Sequence, residues 1–162
     1  MFDLERKLYA DLYGYARQLV VDVPDEHWAE QPAPGLNHPA WILGHLTIAA
    51  DYALQCVGAK ATAPDGWAAV FAPGTVPSPE RGLYPAKADL LNAYEAAHGA
   101  LAAAAASADP TLMAKPTPVE PMKARFPTLG DLLAYVLTTH EAVHLGQLSA
   151  WRRVMGLKGV MG

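Results

Sequence analysis

Residues Thr138 to Leu148 read T-T-H-E-A-V-H-L-G-Q-L. On an α-helix, residues four apart lie on one face, so His140 and His144 can aim their imidazoles at one point. Two neutral imidazoles form part of a ligand set for Zn²⁺ or a similar borderline metal. The same spacing joins Leu133, Leu137, His140, His144, Leu148 and Trp151 into one stripe, which turns the pair inward, toward a helical core. The helix is expected to start at Thr128, where T-L-G-D fits a capping box, and to stop near Met155, before Gly156.

His140-Glu141-Ala142-Val143-His144 also fits H-E-x-x-H, a pattern shared with zinc proteases. That reading fails on the third ligand. The extended form H-E-x-x-H-x-x-G-x-x-H would need glycine and histidine where this chain has Gln147 and Ala150. Residues 145 to 162 contain no His, Asp, Glu or Cys, so a third side chain must come from upstream. Glu141 lies about 100° around the helix from His140 and is expected off the metal axis, at a bundle edge or behind the ligands.

Upstream, helical periodicity dominates, and prolines and glycines separate the segments. A first helix is expected from about Asp3 to Val21, with Leu4, Leu8, Leu12 and Tyr15 as its apolar stripe. A second should run from Asn37 or His38 to about Val57, with Asn37 as a plausible cap and Gly58 closing it. A third should run from Pro85 to about Ser107 on Leu90, Leu91, Tyr94, His98 and Leu101. Long proline-rich connections, 60–84 and 109–127, link these helices, and Trp67 and Phe71 suggest that the first packs onto the body. The expected fold class is all-α, a four-helix bundle with long crossover loops, in one domain over residues 1–162.

Composition agrees. Of 162 residues, 52% are hydrophobic and 17% charged, enough apolar material to bury a core. A net charge of −4 argues against general nucleic-acid binding. The longest apolar run, W-I-L-G-H-L-T-I-A-A, is too short to span a bilayer, so no membrane partner is expected. A single cysteine, Cys56, and an N-terminus without an apolar core segment point to a cytoplasmic protein.

The best upstream ligand is His45 in W-I-L-G-H-L, on a stripe with Trp41, Ile48, Ala49 and Tyr52. Taken alone, a core histidine more often bonds a nearby carbonyl or hydroxyl. Beside an inward-facing histidine pair, a shared metal is the better reading, because a protonated member would be a buried unpaired charge. His98 is a candidate fourth ligand or supporting partner, His38 a cap or surface residue, and His27 an exposed one. Cys56 lies about 16 Å along the helix from His45 and reads as a small core residue. Gln147 could hydrogen-bond a ligand. Arg152 and Arg153 read as surface charges that could attract a carboxylate, and Trp41, Tyr52 and Trp151 as core.

Together, N-H-P-A-W-I-L-G-H-L and H-E-A-V-H-L-G-Q-L-S-A-W-R-R, about ninety residues apart, resemble the second and last helices of the DinB/YfiT-like superfamily. The resemblance implies a four-helix bundle with a divalent metal, Zn²⁺ or Ni²⁺, on three histidines, here His45, His140 and His144. It also implies a homodimer and a small-molecule substrate. Relatives include mycothiol-dependent maleylpyruvate isomerases and bacillithiol transferases, so a low-molecular-weight thiol is an expected cosubstrate. A metal-dependent hydrolase and a non-catalytic metal-binding bundle are the alternatives.

Overall fold

The structure, a computed structural model, describes residues 1–161. It is all-α. The helices are α1 (Asp3–Val20), α2 (Pro39–Cys56), the short α3 (Trp67–Phe71), α4 (Lys87–Ala106), the short α5 (Pro110–Met113), α6 (Leu129–Tyr135) and α7 (Glu141–Val154). A π-helical turn, Val136–His140, joins α6 to α7, so the expected last helix runs through but is not uniform. Four long rods result, and they close a ring: α2 packs on α4 and α7, and α1 packs on α4 and α7.

Local chemistry explains the boundaries. Pro39 occupies the first turn of α2, where a missing N–H costs nothing. The cap is His38 rather than Asn37: the Trp41 N–H donates to His38 Nδ1 at 3.3 Å. Gly58, at φ 77°, takes the left-handed conformation that ends α2. The expected capping box at Thr128 is present, with Asp131 completing it.

α2 is the central rod. Nearly every residue from Pro39 to Leu54 is buried, which is the behaviour of a helix apolar all round. Tyr52 is a correction, since it is exposed on the outer side. So is the stripe of α1. Leu4 and Leu8 face solvent, and the buried line is Tyr9, Ala16, Leu19 and Val20, rotated by about one residue. Leu12 and Tyr15 are only partly buried at its edge. The large rings Tyr9 and Tyr13 meet α4, and that contact decides which face turns inward.

The π turn sets the register of the last rod. Leu133, Leu137, Glu141 and Leu145 are all buried. Three successive steps of four residues would drift by about 120° on a regular α-helix. The wider π turn absorbs that drift and keeps the line on the core.

Candidate metal centre

α2 contributes His45, the π turn ends on His140, and α7 carries His144. Their ligand nitrogens all lie within 4.8 Å of one another, so the three could hold a metal ion. His45 Nε2 and His140 Nε2 are 3.3 Å apart. Two nitrogens on a tetrahedral Zn²⁺ at 2.0–2.1 Å are separated by about the same distance.

Two of the rings have their tautomer set by the chain. His45 Nδ1–H donates to the Phe71 carbonyl at 2.8 Å, because a carbonyl can only accept. That leaves the lone pair on Nε2 facing His140. His144 Nδ1–H donates to Gln147 Oε1 at 3.0 Å, and the same oxygen accepts from Asn37 Nδ2 at 2.9 Å. Such outer hydrogen bonds orient metal-binding imidazoles and raise their basicity. His140 differs: its Nδ1 is buried and has no partner. No contact of the chain among the described residues therefore fixes the His140 tautomer, and its Nε2 is the nitrogen that faces His45.

The electrostatics favour neutral imidazoles, the form that ligates. Burial pushes the His140 pKa down to about 3, with the neighbouring His144 and His45 rings adding to the effect. Burial and the His45 ring bring His144 to about 4 against the opposing Gln147 hydrogen bond. His45 is lowered by burial too. The Trp41 indole stacks on His45, with centroids 4.6 Å apart and planes 8° off parallel. The centre is not sealed, since His140 and His144 are half-buried and Gln147 is exposed.

The other sequence candidates fall elsewhere. Glu141 is not at a bundle edge. It is buried in the core and accepts a hydrogen bond from the Tyr94 hydroxyl of α4. Burial raises its pKa to about 7, and the Tyr94 hydrogen bond opposes that rise. His98 is not a fourth ligand. It stacks on Tyr9 at 3.5 Å, and its Nε2–H donates to the Tyr9 carbonyl at 3.0 Å. His38 is a cap as expected but is buried rather than on the surface, and its Nε2–H donates to the Ser78 carbonyl. Arg152 is buried too, tied to Asp22 and to the carbonyls of Leu19 and Lys158, so it is not free to attract a substrate. His27 is exposed beside Glu30. Cys56 is half-buried, and burial raises its thiol pKa.

Sequence reasoning missed two contributors. The Phe71 carbonyl that aims His45 is a backbone group, and no residue type announces it. Tyr135, whose ring meets the His140 ring edge-on at 5.6 Å, sits five residues before its partner. Residues five apart do not share a face on a regular α-helix, but a π turn brings them together.

Among curated proteins, none matches this sequence. A family model, the DinB superfamily, matches residues 9–148, which include His45, His140 and His144. With the match covering most of the chain and the all-α ring of four rods matching the fold expected of it, the protein belongs to the DinB superfamily.

Proposed function

We propose that His45, His140 and His144 hold a divalent metal ion, Zn²⁺ or Ni²⁺, and that the protein is a metal-dependent enzyme of the thiol-transferase type. The observation that carries this reading is the convergence of three neutral imidazoles, two of them pre-set to offer one nitrogen each. Three protein ligands leave room for a further one, the pattern of a catalytic rather than a structural site. The chemistry a bound ion supplies here is acidity, enough to deprotonate a coordinated thiol.

The chain's own groups fit an external thiol. Its single cysteine lies at the far end of α2 with a raised pKa, poorly suited to act as the nucleophile. The half-buried flank beside Gln147 gives a small molecule access, while the stacked Trp41 covers the His45 ring. A protease-like hydrolysis is disfavoured by Glu141. In H-E-x-x-H enzymes the glutamate serves as general base at the metal, whereas here it is committed to Tyr94 inside the core.

Elemental analysis of purified variants tests the ligands. His45→Ala, His140→Ala and His144→Ala should each lose most bound metal, and His27→Ala should keep it. A thiol-consumption assay with several cellular thiols and a generic electrophile tests the reaction. Turnover at the same rate without thiol would show a hydrolase instead.

A further inference from the structure

The connection between α5 and α6 carries a guanidinium held against two aromatic rings. Arg125 Cζ lies 5.1 Å from the Phe126 ring centroid and 5.7 Å from that of Tyr135. Those two rings are stacked, 4.2 Å apart and 24° off parallel. The Tyr135 ring in turn meets the His140 ring, so one aromatic ring separates the guanidinium from the histidine cluster. Among the described residues no carboxylate pairs with Arg125, and the acid of its own loop, Glu120, is held by Lys123. Arg125 is exposed, and Tyr135 and Phe126 are half-buried.

Each part has a physical consequence. Ring faces attract a guanidinium and restrict its motion, which lowers the ordering cost of a further contact. Its N–H groups lie in the guanidinium plane and form a fork that matches a carboxylate. The π turn is what places Tyr135 beside His140, so the feature that sets the core register also joins this platform to the centre.

We infer that Arg125, seated on Phe126 and Tyr135, is an anion subsite that binds the carboxylate of a small substrate whose reacting group lies at the histidine cluster. This rests on the thiol-transferase reading of the centre. The carboxylate belongs either to the thiol or to its electrophilic partner, and matched probes separate the two.

Calorimetric titration of zinc-loaded protein with N-acetylcysteine and with N-acetylcysteamine, which lacks the carboxylate, reads the thiol. Benzoate and benzamide read the partner. In at least one pair the carboxylate member should bind about tenfold more tightly, the scale of one charge-assisted contact. Arg125→Gln should remove that preference while leaving zinc content and N-acetylcysteamine affinity unchanged. Lys123→Gln, in the same loop, should retain it. The pair that shows the preference identifies which substrate carries the carboxylate. Absence of a preference in both pairs, or its persistence in Arg125→Gln, overturns the subsite. Failure of both thiols to bind counts against the thiol reading instead, and the benzoate pair still decides Arg125.

Discussion

Glu141 carries a carboxyl group into an apolar seam, with Tyr94 as its hydrogen-bond donor. Removing that donor leaves a buried acceptor unsatisfied, which costs roughly 1–3 kcal/mol. Tyr94→Phe should therefore lower the urea-unfolding free energy by about that amount. A loss below about 0.5 kcal/mol, the size of an ordinary surface change, would mean the pair contributes little. His38 and His98 make a second residue-level case. Burial brings both pKa values down from 6.5 to about 4. The unfolded chain then takes up protons first as pH falls. Their contribution is intact above about pH 6.5 and is lost between there and pH 4, by up to roughly 3 kcal/mol each. In metal-free protein the triad imidazoles shift the same way and Glu141, held up at about 7, shifts the opposite way, so a comparison of variants isolates one share. Urea unfolding at pH 7 and pH 4.5 should show a smaller loss in His98→Phe than in the unaltered protein, and equal losses in the two would contradict it. At this scale the sequence was partly legible: an i,i+4 pair and one upstream histidine named the cluster. The burial of Glu141 was not, because it depends on helix register.

The elements explain why register was hidden. An α-helical reading of residues 128–155 places Glu141 beside the core line, and only the π turn brings it onto that line. No residue type in V-L-T-T-H signals such a turn, since it is selected by the packing of the whole rod. On α1, the regular spacing of Leu4, Leu8 and Leu12 competed with that of Tyr9 and Ala16, and the rings stacked on α4 prevailed. The contact of α3 with α2 supports another prediction. A Cβ on Gly44 would lie 2.3 Å from the Phe71 ring, far inside van der Waals contact. Gly44→Ala must therefore displace α3, and with it the carbonyl that orients His45. Metal affinity, measured by competition with a chelating dye, should fall at least about tenfold, as when an outer hydrogen bond to a metal-binding imidazole is lost. Gly99→Ala on α4, where a Cβ meets open space, should leave affinity unchanged and add up to about 1 kcal/mol of stability. Equal affinity in the two variants would remove Phe71 from the account.

As a whole molecule, the protein spreads its apolar contacts over two clusters. One is built around Trp28, Trp41, Phe71 and Trp151, and the other around Tyr9, Leu101, Leu133 and Leu137. The cluster of histidines contributes little to either, so the bundle does not need a metal to fold as a zinc finger does. Treatment with EDTA should leave the helical circular-dichroism signal in place and thermal unfolding cooperative, at a lower Tm. Collapse of the helical signal would show that the core alone is insufficient. Helix class and rod order were readable because periodicity survives in long segments. Trp67 and Phe71 also announced that the first long connection packs onto the body, and both are buried there. The aim of the Phe71 carbonyl at His45 and the seat of Arg125 were not legible, because those contacts are made between distant parts of the chain. The stacking of Trp41 on His45 has a practical outcome. Of four tryptophans, this is the one lying flat on an imidazole of the triad. Its ultraviolet emission should change in intensity when Zn²⁺ is added to chelated protein, and Trp41→Phe should abolish the response. The chain then carries its own optical reporter of loading, readable without dye or label.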